Sequence, residues 1–375
     1  MAKDFHLSNQ SDLPLVSVCI PACNSEVTLG ETLETVLAQD YPRLDVVVSD
    51  NQSTDRTKAI VLQYAEHGVR YCWHSEGRSA WAANMPDYIG GFNHWDFLLS
   101  QGRGKYLCLF HSDDLYEPSI VRRQVEVMQA HPQVGAVFTR MRTIGEDSRP
   151  IRMGTSVLPD GLRGCQTVDF LTLLNAVLAH GDFLPTPSVM LRRLVVEKMG
   201  GFDERQFLTA ADLEMWLRIA RKGYEIAIID QPLLKYRISP RQRGGQYTKQ
   251  RTTPADFFGV LDHYLSQPGV LAIVLPQSLA LYELQRANDH VFCAMKLLVQ
   301  GNIAKALARL REALYWRHFV TAYQHPRPLF KLILGLLLLI STYVGLGMFL
   351  GKFVHTIYNF QNTWKRKPVV FYKRD

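Results

Sequence analysis

The first half of this 375-residue chain alternates short apolar runs with segments of helical spacing. The strand-like runs are Val16–Ile20, Val46–Val48, Val69–Trp73, Tyr106–Phe110 and Gly135–Thr139. Apolar residues between the first two runs follow helical spacing, beginning at Leu29. Strands that alternate with helices need crossover connections, and such connections give a mostly parallel sheet. The alternation therefore predicts an α/β fold.

Polar residues follow three of these predicted strands, where a ligand site is expected. Ligands of open α/β sheets bind outside the carboxyl ends of the strands. The residues at these ends are Asn24 and Glu26, Asp50 and Asn51, and Asp113 and Asp114. We expect them to lie along one edge of the sheet.

Two adjacent carboxylates, Asp113 and Asp114, end the apolar run from Tyr106. Like charges side by side repel, so burial of this pair is costly unless a cation or hydrogen-bond donors compensate. The pair is therefore a candidate metal site. Alternatively, Asp114 or a neighbour caps a helix suggested by residues 117–121, with Pro118 in its first turn.

The charge of the chain is uneven. The formal net charge is +7, and from Lys352 to Asp375 six basic residues stand against one acidic residue. Because this basic tail follows an apolar run, it favours lipid headgroups over nucleic acid as a partner. The six cysteines show no metal-ligand spacing, and Met1–Pro14 contains no apolar segment typical of a secretory signal. We expect a reduced, cytoplasmic setting.

The apolar run Leu332–Gly351 contains twenty residues without a charge and predicts membrane association. Basic residues flank it on both sides, so a single span would export a basic tail against the positive-inside tendency. A re-entrant or interfacial segment broken near Gly345 or Gly347 is an alternative, as is a buried core helix. We expect the chain to be anchored at the cytoplasmic face of the membrane by residues around 332–351.

The second half of the chain is mainly helical in pattern. Cys293–Leu314 predicts two antiparallel helices joined at Gly301 and Asn302. The predicted organisation is a polar arm (1–13), an α/β domain (14–250), a helical region (251–325) and a membrane-associated segment with a basic tail (326–375).

Six motifs, in order, resemble those of the family 2 glycosyltransferases and cover roughly residues 14 to 240. They are Val16–Glu26 with the following Leu33 to Pro42, Val47–Asp55, Gly104–Pro118, Gly200–Glu204, Asp212–Arg218 and Tyr236-Arg237. The resemblance implies a GT-A fold, which is a Rossmann-like, mostly parallel mixed sheet with helices on both faces. In this chain the fold would be followed by a C-terminal helical region and an apolar helix.

The resemblance also implies a nucleotide-sugar site. Asp50 corresponds to the acid that contacts the base, and Pro21, Asn24 and Glu26 belong to the loop beside the base and ribose. The alternative for Asp50 is a turn-forming residue, and Asp55 is expected to cap a helix.

The family holds its metal with a DxD motif, whose last acid aligns with Asp113. His111 stands at the first position, so the implied ligands are Asp113 with Asp114 or His111. Hard oxygen ligands suit Mg²⁺ or Mn²⁺, and Mn²⁺ also tolerates imidazole. His111 could equally be a hydrogen-bonded residue at the end of the strand.

The family's catalytic base aligns with Asp212, whereas the Glu that often precedes it is Ala211 here. Alternatively, Thr209-x-x-Asp212 forms a capping box. Glu214 is expected to support the site or to be solvated. Arg237, with Arg241 and Arg243 nearby, is expected to bind the diphosphate, and Ser239 replaces a His of many relatives.

The implied reaction is inverting transfer from a nucleotide-diphosphate sugar, with a UDP-sugar as the expected donor. A lipid-linked or glycan acceptor would place it in cell-surface polysaccharide or glycolipid biosynthesis. The departures at His111, Ala211 and Ser239 motivate an alternative, a membrane-bound nucleotide-sugar binding or scaffold protein without turnover. A nucleotidyltransferase would need a Gly-rich loop with Arg and Lys near the first strand, which Pro21–Thr28 lacks.

Overall fold

The computed structural model describes residues 12–75, 91–164, 167–239, 242, 247–248 and 250–365. Most of the predicted N-terminal arm and the basic tail after residue 365 lie outside these residues. The chain forms two compact units: the first comprises residues up to Ser148, 154–170 and 184–237, and the second comprises 149–153, 171–183 and the chain from Ile238. The first unit ends at Arg237, and the predicted domain bounds stay predictions.

Ten strands form among the described residues. They are β1 (Val16–Ala22), β2 (Leu44–Asp50), β3 (Arg70–Trp73), β4 (Tyr106–Leu109), β5 (Leu115–Tyr116), β6 (Val134–Ile144), β7 (Pro150–Thr155), β8 (Thr167–Val168), β9 (Val189–Arg192) and β10 (Glu225–Arg237).

The helices as far as residue 221 are α1 (Leu29–Leu37), α2 (Thr57–Gln63), α3 (Phe92–Gln101), α4 (Ile120–Ala130), α5 (Phe170–His180), α6 (Arg193–Met199), α7 (Glu204–Phe207) and α8 (Ala211–Arg221). The C-terminal helices are α9 (Phe257–Leu265), α10 (Val270–Ile273), α11 (Pro276–Val299), α12 (Ile303–Ala313), α13 (Trp316–Ala322), α14 (Pro326–Tyr343) and α15 (Gly347–Lys365).

The main sheet has the strand order β3-β2-β1-β4-β9-β6-β10-β5. Strands β3, β2, β1 and β4 are parallel, β9 runs antiparallel to both β4 and β6, and β10 is parallel to β6. The predicted mostly parallel mixed sheet is therefore confirmed. The loops that follow β1, β2 and β4 meet at one edge.

Helices cover both faces of this sheet because side chains alternate along each strand. Val16, Val18 and Ile20 of β1 belong to a core cluster that includes buried residues of α1, α2 and α4. The intervening Ser17 lies beside Gly102 at the end of α3, which packs on β1, β2 and β4. This packing fixes the positions of the strand ends.

The C-terminal region contains the helix pair predicted for Cys293–Leu314. The apolar segment predicted for residues 332–351, in contrast, is divided between two helices. α11 and α12 are joined at residues 300–302, as the Gly301-Asn302 signal predicts. The run 332–351 is divided between α14 and α15, with Gly345 at φ +81° in the turn. Among the helices of the described residues, α14 is the one with the length and apolar character of a membrane span, with a mean hydropathy of 1.3 and 17% of its residues buried.

Candidate functional site

The strand ends bring the loops after β1, β2 and β4 to one edge of the sheet. Register places Ala22 beside Asp50, and β4 pairs with the other side of β1. The structure therefore brings together the segments of Pro21, Asn24 and Glu26, of Asp50, and of His111 to Asp114.

The loop after β1 is tied to the loop after β2 by its own side chains. Asn24, at φ 51°, accepts a hydrogen bond from the Thr54 backbone at 2.8 Å. Glu26 accepts from the backbone of Arg56 at 3.1 Å and forms an exposed ion pair with its guanidinium. Asp55 accepts from the Thr57 backbone at 2.9 Å, but the N-cap position of α2 is Arg56, so Asp55 stabilises the turn that leads into α2. These contacts hold the loop in place, and direct nucleotide contacts of Asn24, Glu26 and Pro21 stay predictions.

Asp50 is fully buried at the end of β2. Its Oδ1 accepts from the Ser53 backbone at 2.9 Å, and its Oδ2 accepts from the Tyr71 hydroxyl at 3.0 Å. The first contact is the turn-forming interaction that was the alternative interpretation of this residue. Asp50 shapes the loop after β2, and its contact with a base stays a prediction.

The loop after β4 gathers the three predicted metal ligands. One ligand atom from each of His111, Asp113 and Asp114 lies within 4.8 Å of the others. The capping alternative does not form, because α4 begins only at Ile120, and the Asp114 Oδ1 accepts from the Arg237 backbone at 2.8 Å. The two carboxylates and the imidazole form the donor set expected for a divalent cation.

Burial leaves two atoms of this cluster without a hydrogen bond. Within the described residues, the His111 Nε2 and the Asp114 Oδ2 are buried and have no partner. Burial lowers the pKa of His111, against the charge of Asp113, so the imidazole is held neutral with a lone pair available. Burial first, and the charge of Asp113 second, raise the pKa of Asp114 well above its usual value. A bound Mn²⁺ or Mg²⁺ would compensate both orphaned atoms, so the residues present fit the cation.

Two threonines at the start of α1, Thr28 at its N-cap position and Thr32 in its first turn, fix the backbone of this loop. The Thr28 hydroxyl donates to the Ser112 carbonyl at 2.9 Å, and the Thr32 hydroxyl donates to the Asp114 carbonyl at 2.9 Å. The Ser25 and Ser112 hydroxyls lie 2.9 Å apart. Sequence reasoning did not select these threonines, although their four-residue spacing places both on one face of α1.

Arg237 lies in the interior, beside the candidate metal loop. Its side chain is 2% exposed and donates to the carbonyls of Asp113, at 2.7 Å, and Glu146, at 3.0 Å. It also pairs with Glu31 at 2.7 Å. The guanidinium therefore braces the loop from the interior, and its contact with a diphosphate stays a prediction. The neighbouring Arg241 and Arg243 lie outside the described residues.

Asp212 lies in the first turn of α8. Its Oδ2 accepts from the Thr186 hydroxyl at 2.7 Å, and its Oδ1 accepts from the Leu213 backbone at 2.8 Å. Helix α8 begins at Ala211 and its N-cap position is Ala210, without a side-chain cap, so the alternative of a capping box from Thr209 stays untested. Burial raises the pKa of Asp212, and the Thr186 hydroxyl opposes this rise. A raised pKa suits a proton acceptor.

Burial is the main cause of a raised pKa at Tyr236, near the end of β10. The negative charges of Asp114, Asp113 and Asp212 add to the rise of this pKa. Tyr236 belongs to one of the sequence motifs, which assigned it no role.

Two further contacts support this arrangement. Glu214 pairs with Arg218 at 3.1 Å, and Arg218 donates to the carbonyls of Met199 and Gly201, so Glu214 supports the loop before α7. The ring of Trp95, in α3, lies 5.4 Å from the ring of His111. Sequence reasoning missed Trp95, because only the fold brings α3 to the end of β4.

Comparisons with known proteins agree with this geometry. The family model described as Glycosyl transferase family 2 matches residues 17–198. Two Bacillus subtilis (strain 168) proteins named as glycosyltransferases are similar in sequence. YdaM is 25% identical over 58% of this chain and 49% of its own length. TuaG, whose name assigns it to teichuronic acid biosynthesis, is 25% identical over 60% of this chain and 79% of its own length. The chain thus spans about half the length of YdaM.

A solved structure shares the fold. It is S. aureus TarS 1-349 in complex with UDP-GlcNAc, with a TM-score of 0.55 and 16% identity, over 88% of this chain and 92% of the other. This likeness confirms the predicted GT-A fold class.

Proposed function

The chain belongs to glycosyl transferase family 2, and from this premise we propose that it moves a sugar from a nucleotide-diphosphate donor to an acceptor hydroxyl with inversion. The observation that carries the proposal is the cluster of His111, Asp113 and Asp114, in which one ligand atom from each residue lies within 4.8 Å of the others. This cluster can hold the donor diphosphate through a cation, while Asp212 receives the proton of the acceptor. Such a division of roles is what a single displacement requires.

His111, Asp113 and Asp114 would hold the divalent cation, Mn²⁺ or Mg²⁺. When bound, this ion would offset the negative charge that grows on the departing diphosphate. The protein side of the site is rigid, because Arg237 and the α1 threonines fix the loop backbone. A fixed loop keeps the donor oriented without further ordering.

Asp212 is the proposed general base. The acceptor hydroxyl oxygen bonds to the anomeric carbon, the bond from that carbon to the diphosphate oxygen breaks, and its electron pair leaves with the nucleoside diphosphate. The hydroxyl proton passes to an oxygen of Asp212. The Thr186 hydroxyl and the Leu213 backbone orient this carboxylate and oppose an excessive rise of its pKa. One displacement inverts the anomeric configuration and needs no covalent intermediate.

A UDP-sugar is the proposed donor, and a lipid-linked or cell-surface glycan is the proposed acceptor. TarS carries UDP-GlcNAc in its structure, and the name of TuaG assigns it to teichuronic acid, which supports this class of substrate. We place the reaction at the cytoplasmic face of the membrane, where activated sugars and lipid-linked acceptors meet.

The experiment begins with a panel of UDP-, GDP- and dTDP-sugars, each with and without Mn²⁺. We expect one nucleotide class to raise the melting temperature more strongly in the presence of Mn²⁺. Release of the nucleoside diphosphate from that donor then measures turnover. The proton coupling of the new anomeric centre in NMR reports its configuration, which should be opposite to that of the donor.

The alternative of a binding or scaffold protein predicts a different result. Such a protein would bind the donor but release no nucleoside diphosphate, either with acceptor or by slow hydrolysis without it. Metal-dependent hydrolysis of the donor in the absence of acceptor would exclude that alternative. A product that keeps the donor configuration would instead overturn the single displacement.

A further inference from the structure

Helix α14 has two apolar faces, and only one of them is covered. Leu332, Gly335 and Leu338 are buried in the C-terminal unit. On the opposite side Phe330, Ile333, Leu337, Ile340 and Val344 are exposed, with exposed fractions between 44% and 66%. Their spacing of three and four residues gives one continuous stripe. A surface helix of a water-soluble unit would carry polar residues here.

The inner face of the α14–α15 pair is fixed to α11. A Cβ added at Gly335 would lie 2.7 Å from the Val291 side chain, and one added at Gly351 would lie 3.0 Å from Leu298. These glycines permit close packing of both helices on α11. At the turn, Arg311 of α12 donates to the Tyr343 hydroxyl at 2.8 Å. The pair is therefore attached along its length and at its turn.

The exposed stripe continues beyond α14. Leu346 in the turn and Phe349 and Phe353 on α15 are exposed, the last two with helical spacing. Trp316 at the start of α13 and Tyr323 directly after its end are also exposed. Aromatic residues of this kind are common at the interface of membrane and water.

Charge indicates what covers this surface. From Ala313 to Arg374 the sequence contains nine Lys or Arg residues and no Asp or Glu. Arg327, Lys331 and Lys352, which flank the stripe, are exposed. A basic rim around an apolar face complements an anionic lipid surface. A surface that binds another protein would not require so long a segment without acidic residues.

We propose that the C-terminal unit docks on one leaflet of an anionic phospholipid membrane through the outer faces of α14 and α15, without crossing the bilayer. A membrane span is disfavoured, because α14 would have to separate from α11 or carry α11 into the bilayer. α11 carries Arg286, Asp289 and Lys296, and charged side chains are costly at the bilayer centre. The proposal thus chooses the interfacial alternative for the apolar segment and does not depend on turnover.

The test measures flotation of the purified full chain with phosphatidylcholine vesicles, with and without phosphatidylglycerol. The test variant is the double substitution Leu337→Asp/Ile340→Asp. We expect strong flotation of the parent chain with phosphatidylglycerol and weak flotation without it or at high salt. The double substitution should weaken partitioning by about 100-fold, since each buried charge costs about tenfold even at shallow depth.

A matched control uses equally exposed residues elsewhere. Leu62 on α2 is 51% exposed and Ile273 on α10 is 53% exposed, against 52% for Leu337 and 53% for Ile340. Leu62→Asp/Ile273→Asp should float like the parent chain, and circular dichroism checks that both variants are folded. Equal flotation of the test and control variants would overturn the proposal.

Two further results would also overturn it. The first is a parent chain that does not float with any vesicle but forms a dimer that the test substitutions dissociate. That result would show that the surface is a contact between two copies of the chain. In spheroplasts of an expressing bacterium, a C-terminal tag should resist protease added outside. Cleavage of that tag in intact spheroplasts would instead show that the chain crosses the membrane.

Discussion

Replacing Arg237 with methionine separates an interior brace from a phosphate-binding residue. Methionine keeps much of the apolar volume but removes every donor of the guanidinium. The carbonyls of Asp113, Gly145 and Glu146 would lose their partner, and Glu31 would lose its ion pair. Because the Arg237 side chain is only 2% exposed, water cannot replace these contacts without disturbing the loop.

The expected loss of stability follows from these contacts. Removing one partner of a buried ionic network costs about 3–5 kcal/mol. The Glu31 side chain is 42% exposed, so its pair with Arg237 contributes little and the lower end of the range is appropriate. At about 2–4 °C per kcal/mol for a unit of this size, a loss of about 3 kcal/mol lowers the melting temperature by about 6–12 °C.

Urea unfolding and a calorimetric titration with UDP distinguish the two roles. Arg123→Met, on the surface of α4, serves as the control and should stay within about 0.5 kcal/mol of the parent chain. Unchanged stability of Arg237→Met, together with UDP binding at least about tenfold weaker, would restore the phosphate role and refute the structural one.

Three further substitutions examine other parts of the site. Thr186→Val removes the hydrogen bond that lowers the pKa of Asp212, so the acid limb of the kcat profile should move to higher pH by about 0.7 units, for a bond of about 1 kcal/mol. Since Asp212 acts in its ionised form, activity is lost as pH falls through its pKa; an unmoved profile would contradict this assignment. His111→Ala should weaken Mn²⁺ binding in calorimetry by about tenfold or more, and unchanged affinity would exclude the imidazole as a ligand. Gly104→Ala should destabilise the fold by about 3 kcal/mol in urea unfolding, because its Cβ would lie 2.5 to 2.7 Å from three backbone atoms. Gly161→Ala is the control, because a Cβ added there would have no other atom within 4 Å. Equal stability of the two variants would contradict this prediction and show that the strands adjust to the Cβ added at residue 104.

The edge of the sheet was predictable because its signals are local. The strand pattern at Val16 and Tyr106 and the polar residues directly after each run are visible within a few positions of sequence. Parallel strands then place their carboxyl ends together without further information. The gathering of His111, Asp113 and Asp114 follows from the same local signal.

The roles of Arg237 and Trp95 were not predictable, because they depend on contacts between distant parts of the chain. Arg237 pairs with Glu31, 206 residues away, and no local pattern distinguishes this contact from an exposed arginine. The apolar run at Leu332 illustrates another limit. Its length fits a span, and the turn at Gly345 divides it into two helices, in line with the alternative of a broken segment. The close packing of Gly335 and Gly351 on α11 has no local signal in the sequence.

The turnover of the Asp212→Asn variant tests most directly the central claim, which is that Asp212 is the general base. The amide keeps the shape of the side chain and its contact with Thr186 but cannot accept the acceptor proton. We expect nucleoside diphosphate release with acceptor to fall by about 10²–10⁴-fold, while stabilisation by the donor with Mn²⁺ is kept. A variant that turns over as fast as the parent chain would contradict the account.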